Sequence, residues 1–272
     1  MMHVTLASEA APGRLANEDG ALHIGGLVGV FDGVTAPPDI PSGCIHGPAW
    51  YVKRLTAQLG SVARATPNDG LSNLLAEAIT RVRGDHQGHC DLDNPATPAA
   101  AICLARADDD RLEYLILADC TLVVDHGSQT PTVLTDERFG NAVTEIRRAA
   151  LADGGISRPA GTPTPGKYAL INKPCGYWIA AANPQAAYHA VTGQFSGVRR
   201  AALLTDGLSC AVDRYHLMTW GGLLDLLTES GPRALIRRVR QAENADPSGN
   251  EFPRYKRHDD ATAALCLFEE SK

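Results

Sequence analysis

The chain has 272 residues, of which 44% are apolar, and its 31 acidic and 25 basic side chains give a net charge of −6. This composition is typical of a folded globular protein, and the acidic balance argues against general nucleic-acid binding, which needs a basic surface. No apolar run approaches the roughly 18 residues that cross a bilayer, and no basic region followed by an apolar stretch opens the chain, so we expect neither a membrane segment nor a signal peptide.

Short apolar runs bounded by polar or glycine-containing turns predict the strands. The runs from residue 26 to 124 follow one another closely, so we expect them to form an antiparallel meander, with a polar connection over 106–111. The first run ends at Asp32-Gly33, which is a turn signal. The predicted strands are 26–31, 100–105, 112–118, 122–124, 201–204 and 261–268.

Apolar residues at helical spacing predict five helices in the same chain. Strands in antiparallel runs with helices in separate blocks favour an α+β fold over alternating βαβ units. No repeat or linker divides the chain, so we expect a single domain over 1–272, and the Gly/Pro-rich stretch 154–166 predicts a loop. The predicted helices are 48–59, 71–82, 141–151, 223–227 and 233–242.

Four aspartates stand where predicted strands begin or end. Asp32, Asp119 and Asp206 follow apolar runs, and Asp259 precedes one. Carboxylate oxygens are the ligands that Mg²⁺ and Mn²⁺ prefer, and two such ions can hold a phosphate and activate water. Because aspartate and glycine are common turn residues, each of these aspartates alone is better explained as part of a turn. Whether the four aspartates form a metal site together depends on the order of the motifs in which they stand.

The order of five separated motifs resembles that of the metal-dependent protein phosphatases of the type 2C (PPM) family. The resemblance extends over about residues 14–268. Its most specific parts are the opening Arg-x-x-Asn-Glu-Asp and the closing Thr-Asp-Gly and Asp-Asp-Ala-Thr, and segment 133–136 is similar to a further short segment of the family. The five motifs are residues 14–19, 30–33, 117–120, 204–207 and 258–262.

The resemblance implies a central β-sandwich of two antiparallel sheets flanked by helices, with the metals at one end. It implies two Mg²⁺ or Mn²⁺ ions, and a third, weaker ion at Asp119. Arg14 would bind the substrate phosphate, and Arg14, Asp32 and Asp206 would form the catalytic set. The implied metal ligands are Glu18, Asp19, Asp32 as the bridge between two ions, the carbonyl of Gly33, Asp119, Asp206 and Asp259.

The sequence departs from the family pattern around these residues. Val34 stands where a histidine general acid often lies, and two prolines stiffen the loop that follows. Cys120 stands after Asp119, where the family motif has a different residue, and this difference puts the third ion in doubt. Asp260 adds a carboxylate that could strengthen or rearrange the metal site. His258 could donate a proton, although a plain loop histidine is the favoured interpretation.

The implied function is hydrolysis of phosphoserine or phosphothreonine in proteins by a metal-activated water, without a phosphoenzyme intermediate. The altered loop after Asp32-Gly33 motivates two alternatives: a phosphatase of a small phosphorylated metabolite, and a degenerate phosphatase fold that binds or regulates a partner. The expected partner is therefore a phosphoprotein or a phosphorylated small molecule, and the oligomeric state stays open. The loop 154–166 would correspond to the family's variable flap.

Seven cysteines are scattered along the chain without a CxxC pair, which favours a reducing cytoplasm. Cys103, Cys120 and Cys266 lie in apolar runs and are expected to be buried thiols. The segment 86–91 contains two histidines, a cysteine and an aspartate, which are typical of a small soft-metal site. Because no second ligand pair follows at zinc-site spacing, a polar loop is the favoured interpretation.

Overall fold

The computed structural model describes residues 2–34, 40–108, 111–152, 166–254 and 256–269. In this part of the chain, ten strands form two five-stranded sheets, and all neighbouring strands pair antiparallel. The first sheet has the order β2 (Gly20–Ile24), β3 (Leu27–Gly33), β4 (Ala100–Asp108), β5 (Arg111–Leu117) and β8 (Val191–Ser196). The second sheet has the order β1 (Met2–Glu9), β10 (Ala261–Phe268), β9 (Arg200–Leu204), β6 (Thr121–Asp125) and β7 (Thr132–Leu134).

Helices cover the outer faces of the two sheets. Helices α1 and α2 pack against the first sheet, and α4, α5 and α6 pack against the second. Two 3₁₀ helices lie between α3 and β8. The helices are α1 (Pro48–Ala65), α2 (Leu71–Asp85), α3 (Arg138–Ala152), α4 (Asp206–Asp213), α5 (Trp220–Ser230) and α6 (Pro232–Ala245).

The side chains of strand β3 alternate between two parts of the hydrophobic core. Val28 and Val30 point between the two sheets, whereas Leu27 and Phe31 point outward to α1 and α2. All four side chains are buried, because successive residues of a strand face opposite sides and both sides of this sheet are covered. This double burial explains why the strand reads as a continuous apolar run.

The structure confirms the predicted fold class of two antiparallel sheets with flanking helices. Each predicted strand and helix overlaps an observed one, and the prediction for 261–268 coincides with β10. The buried state of Cys103, Cys120 and Cys266 is also confirmed. Strands β1, β2, β7 and β8 and helix α4 were not predicted.

Two local predictions were wrong. The meander consists of β3, β4 and β5 only, because β6 pairs with β9 in the second sheet instead of with β5. Asp32 and Gly33 do not form a turn after β3 but are its last two residues, opposite Ala101 and Ala100 of β4.

Among the described residues, no helix is both long enough and apolar enough to cross a membrane.

Candidate metal centre

The strand registers bring the acidic motifs to one end of the sandwich. In the first sheet, Phe31 lies opposite Ile102, which in turn lies opposite Leu117, so β3 and β5 end on the same side. In the second sheet, Leu204 at the end of β9 lies opposite Ala263 near the start of β10. Asp32 is the second-last residue of β3, Asp19 precedes β2, whose first residue lies opposite Phe31, and the other three aspartates stand just outside the ends of β5, β9 and β10. We call these five aspartates the acidic cluster: Asp19, Asp32, Asp119, Asp206 and Asp259.

The two sheets meet directly at the acidic cluster. The backbone N–H of Asp206 donates a long hydrogen bond of 3.4 Å to Oδ2 of Asp32. The carboxyl of Asp32 also interacts electrostatically with the other four members of the cluster. The predicted site residues of both sheets therefore lie within electrostatic reach of one another.

Asp19 is fixed by the segment that joins β9 to α4. The hydroxyl of Thr205 donates to Oδ2 of Asp19 at 2.8 Å and accepts a hydrogen bond from the backbone N–H of Thr262 at 3.0 Å. Asp206 then begins α4, so this aspartate is the first residue of a helix and does not form part of a turn. One threonine thus connects three of the acidic motifs.

Gly33 and Gly207 permit close backbone approaches beside the cluster. A Cβ atom on Gly33 would lie 2.4 Å from the carbonyl oxygen of Glu18, and one on Gly207 would lie 1.9 Å from the carbonyl oxygen of Asp260. The N–H of Gly33 donates to that Glu18 carbonyl at 3.1 Å. Since no side chain fits at these distances, both positions require glycine.

The additional carboxylate, Asp260, is hydrogen-bonded to the backbone and has a structural role. Its two oxygens accept hydrogen bonds of 2.7 Å from the backbone N–H groups of Ala11 and Glu18. It is buried, whereas the neighbouring Asp259 is partly exposed and accepts from Lys256 at 2.7 Å. Asp260 thereby positions the segment that carries Arg14, Glu18 and Asp19.

Burial and mutual repulsion raise the pKa values of four cluster carboxyls. Burial is the larger cause, and repulsion from other members of the cluster adds to it. The pKa of Asp19 is raised to about 8, that of Asp119 to about 7 and that of Asp259 to about 6, while the pKa of Asp32 lies well above its usual range. At pH values below these pKa values, the carboxyls of the metal-free protein therefore retain protons, which bound cations would displace.

Asp119 follows a strained backbone position. Ala118 has a φ of 64°, in the left-handed region that residues with a side chain rarely adopt. Its N–H donates to Oδ2 of Asp136 at 3.4 Å, and its carbonyl accepts from the N–H of Asp136 at 3.3 Å. Arg138 holds the Asp136 carboxylate with bonds of 2.7 and 2.6 Å. Segment 133–136 thus supports the turn that presents Asp119.

Arg14 and Glu18 lie beside the cluster as an ion pair. Nη1 of Arg14 donates to Oε2 of Glu18 at 2.8 Å. The Arg14 side chain remains about one-third exposed, at 32%, and it interacts electrostatically with Asp259 and Asp260. The guanidinium is therefore oriented next to the acids and still accessible to an anion.

Two lysines near the cluster were missed by sequence reasoning. Lys256 contacts Asp259, and Lys167 interacts electrostatically with Asp119 and lines a small cavity of about 50 Å³ together with it. Burial lowers the pKa of Lys167, and Asp119 opposes that shift. Both lysines lie outside the recognised motifs, so no spacing or periodicity pointed to them.

The structure also locates residues at which the sequence departs from the family pattern. Val34 lines the cavity beside Asp119, and its N–H donates to the carbonyl of Ala99 at 2.9 Å. The ring of His258 is paired with helix α6, since its Nδ1 lies 2.7 Å from Oε2 of Glu243. The expected flap over 154–166 lies outside the described residues except for Gly166, as do the two prolines after Val34.

The interpretation of segment 86–91 as a polar loop rested on the lack of a second ligand pair at zinc-site spacing. A second ligand pair exists, but it precedes the segment by about forty residues: Cys44 and His46 lie next to His86 and Cys90. The four ligand atoms are within 4.8 Å of one another, and they form a group separate from the acidic cluster.

The sandwich is the fold of the PPM Ser/Thr phosphatases, as the predicted resemblance implied. The chain is similar to the PPM Ser-Thr phosphatase MsPP from Mycobacterium smegmatis, solved in complex with cacodylate, with a TM-score of 0.58 and 19% identity over 98% of both chains. It is also similar to the serine/threonine phosphatase PstP/Ppp of Mycobacterium tuberculosis, with a TM-score of 0.58 and 15% identity over 99% of both chains.

A further similar structure is the serine/threonine phosphatase Stp1 from Staphylococcus aureus, with a TM-score of 0.55 and 14% identity over 99% of this chain and 96% of that one. The catalytic domain of PstP has also been solved in complex with two manganese ions, and it matches with a TM-score of 0.56 and 14% identity over 98% of this chain and 97% of that one. No protein-family model and no curated protein sequence match the chain.

Proposed function

We propose that the chain is a metal-dependent phosphatase of the type 2C (PPM) family that hydrolyses phosphoserine and phosphothreonine in proteins. The observation that carries this proposal is the acidic cluster, in which carboxyls from both sheets repel one another at one end of the sandwich. Such a concentration of like charge is unfavourable without a cation. The fold that the chain shares with Ser/Thr phosphatases supports the same function.

The donor set of the acidic cluster fits hard divalent cations, because its side-chain donors are all carboxylate oxygens. We therefore propose Mg²⁺ or Mn²⁺ as the cofactor, and the two manganese ions in the PstP structure support this choice. Asp32 would bridge two ions, and Asp119 would hold a third, weaker one. The remaining proposed ligands are Glu18, Asp19, the carbonyl of Gly33, Asp206 and Asp259.

Bound ions would supply charge neutralisation and an activated water for attack on phosphorus. Cys120, the cysteine that interacts with Asp32, offers no competing thiolate nucleophile. Cys120 is fully buried, and burial together with Asp32 raises the pKa of its thiol well above the usual range, so it stays protonated. Hydrolysis by water, without a phosphoenzyme, is therefore the mechanism that these residues favour.

Arg14 is the proposed phosphate-binding residue. Its guanidinium is held by Glu18 at 2.8 Å and stays partly exposed. A guanidinium can donate to two phosphate oxygens at once, which orients the phosphorus toward the acidic cluster. Val34 has no proton to donate and His258 is paired with Glu243, so we propose that water protonates the leaving oxygen.

The domain and the location of the protein are part of the same proposal. We propose one catalytic domain over residues 1–272, with 154–166 as its flap. The cysteines of the described residues are free thiols, which supports a reducing cytoplasm.

The proposal is tested by metal-dependent turnover. Hydrolysis of p-nitrophenyl phosphate and of a phosphothreonine peptide should require Mn²⁺ or Mg²⁺ and should stop in excess chelator. Replacing Asp206 by Asn should lower kcat about a thousandfold or more, because a metal ligand is lost. The matched control is Asp108→Asn, since Asp108 is exposed at the opposite end of β4 and should leave kcat unchanged.

Full activity in chelator, or equal activity of the Asp206 variant, would refute the proposed chemistry. A panel of phosphorylated metabolites tests the substrate class separately. Turnover of one metabolite far above that of phosphopeptides would retain the metal chemistry but overturn the assignment to protein substrates.

A further inference from the structure

A second potential ligand group lies away from the acidic cluster, where the loop before α1 meets the end of α2. The Sγ of Cys44 lies 3.5 Å from Nδ1 of His46, 3.6 Å from Nδ1 of His86 and 3.2 Å from Sγ of Cys90. The Sγ of Cys90 also lies 3.5 Å from Nδ1 of His46. Two sulfurs and two imidazole nitrogens thus converge on one point.

These distances match the edges of a tetrahedral zinc site. Zn–S bonds of about 2.3 Å and Zn–N bonds of about 2.0–2.1 Å at tetrahedral angles place sulfur and nitrogen about 3.5 Å apart and two sulfurs about 3.8 Å apart. The three sulfur–nitrogen distances of 3.5, 3.6 and 3.5 Å agree with this geometry. The two sulfurs, at 3.2 Å, would separate by about 0.6 Å to admit the ion.

The backbone is arranged to bring the two halves of the group together. Helices α1 and α2 pack side by side, so that the segment before α1 lies next to the residues after α2. The chain reverses after α2 through Gln87 and Gly88, which both have positive φ angles, of 53° and 75°. The N–H of Asp91 then donates to the carbonyl of Gly43 at 2.8 Å, which links the two loops beside the ligands.

The surroundings hold the ligands in place. The ring of His46 stacks on Trp50 with centroids 3.8 Å apart, and the ring of His86 contacts the edge of the same indole at 4.8 Å. Burial and the contact with Cys90 raise the pKa of the metal-free Cys44 thiol to about 11, and the N–H of His46, which donates to Sγ of Cys44 at 3.3 Å, opposes that shift. His86 is buried, and Cys44, His46 and Cys90 are half-buried, so the group is largely closed to solvent.

We propose that Cys44, His46, His86 and Cys90 bind a structural Zn²⁺ ion that fastens the loop before α1 to the end of α2. Binding releases one proton from each thiol, so the two thiolates neutralise the charge of the ion. Thiolate and imidazole ligands select zinc over Mg²⁺ and Mn²⁺, which separates this site from the acidic cluster. With four protein ligands, the site has no open position for substrate, as is typical of structural zinc.

The fastened loop connects to the acidic cluster through the chain. It follows β3, whose last residues are Asp32 and Gly33, and on its other side the segment after Cys90 leads to β4. The ion would therefore stabilise the segments that flank the cluster without contributing to the chemistry there. The inference stands whether or not the chain proves to be a phosphatase.

The test uses the full chain and Co²⁺ as a spectroscopic probe. Co²⁺ added to demetallated protein should give a thiolate-to-cobalt charge-transfer band and the intense visible bands of tetrahedral cobalt, which carboxylate sites do not produce. Zinc should abolish these bands at about one ion per chain, because the site has four fixed ligands. Replacing Cys44 or Cys90 by Ser should lower the charge-transfer band by about half or more, because each thiolate contributes to it, and replacing both should remove it. The matched control Cys175→Ser, at an exposed free cysteine, should retain the full band.

A second measurement on the unmodified chain covers the case in which the variants do not fold. In zinc-loaded protein, Cys44 and Cys90 should resist alkylation and should become reactive when a zinc chelator is added, while the exposed Cys175 reacts throughout. Absence of the charge-transfer band, an undiminished band in Cys90→Ser, or a native disulfide between Cys44 and Cys90 would overturn the proposal.

Discussion

The backbone N–H of Asp206 lies 3.4 Å from Oδ2 of Asp32, and this contact joins the two sheets of the sandwich. Asp32 ends a strand of the first sheet, and Asp206 begins the helix that follows a strand of the second. Neither sheet alone contains both carboxyls. The acidic cluster therefore exists only in the folded sandwich, which links its electrostatics to the stability of the fold.

The first prediction concerns pH and the stability of the metal-free protein. Folding raises the carboxyl pKa values from 3.8 to about 6 for Asp259, about 7 for Asp119 and about 8 for Asp19. Carboxyls with a raised folded-state pKa favour the folded state at low pH, and that contribution is lost as pH rises. In chelator, the free energy of unfolding should therefore fall between about pH 4 and pH 8.

Urea unfolding at a series of pH values checks this prediction. Saturating Mn²⁺ should flatten the decline, because the cation replaces the protons and stabilises the folded state. Asp32→Asn should flatten it in chelator as well, because it removes a carboxyl whose pKa folding raises well above the usual range, whereas Asp108→Asn should leave the slope as it is. A stability in chelator that rises over this pH range would contradict the electrostatic account.

The second prediction concerns Gly207. An added methyl group would lie 1.9 Å from the carbonyl oxygen of Asp260, and both partners are backbone, so neither can rotate away. Gly207→Ala should lower the free energy of unfolding by about 3 kcal/mol and should reduce turnover, because Asp206 is displaced with it. Chemical denaturation and steady-state kinetics measure the two effects.

The control for Gly207 is Gly84→Ala. Gly84 lies in α2, and a Cβ there meets nothing within 4 Å. Alanine favours a helix over glycine by up to about 1 kcal/mol, so this variant should be as stable as the parent or more so. Equal stability of the two alanine variants would refute the close packing at Gly207.

A third prediction separates the adjacent residues Asp259 and Asp260. Asp260→Ala leaves the buried N–H of Ala11 and the partly buried N–H of Glu18 without their acceptor and should cost about 3 kcal/mol of unfolding free energy even in chelator. Asp259→Ala should instead weaken Mn²⁺ binding while retaining stability in chelator. Unfolding curves and Mn²⁺ titration of both variants provide the comparison, and a reversed pattern would exchange their assigned roles.

The fourth prediction concerns Arg14. Lysine keeps the positive charge but lacks the paired donors that can bind two phosphate oxygens, so Arg14→Lys should raise KM for phosphopeptide about tenfold. Inhibition by inorganic phosphate should weaken by a similar factor, and the unfolding free energy should change little because Arg14 is partly exposed. Unchanged KM and unchanged phosphate inhibition would exclude Arg14 from phosphate binding.

Part of the fold was predictable from local pattern. Strands β4 and β10 are central in their sheets and covered on both faces, so their sequences read as unbroken apolar runs. Strand β1 was missed because it lies at a sheet edge with mostly exposed side chains. The chain crosses from the first sheet to the second at Ala118, between β5 and β6. The apolar residues 122–124 predict a strand but do not indicate which sheet it joins.

The candidate sites differ in how far the sequence reveals them. The acids of the cluster were singled out because each stands in a motif whose order resembles a known family. The pair Cys44 and His46 was missed because its partners, His86 and Cys90, follow about forty residues later. Two packed helices bring these pairs together, and this proximity depends on tertiary structure instead of spacing.

The most direct test of the central claim is the anomalous diffraction of a crystal grown with Mn²⁺. We expect two manganese peaks on opposite sides of the Asp32 carboxylate, about 3.5–4 Å apart, with Asp206 and Asp259 among the ligands. Manganese bound only elsewhere, or none at this end of the sandwich at millimolar concentration, would contradict the account.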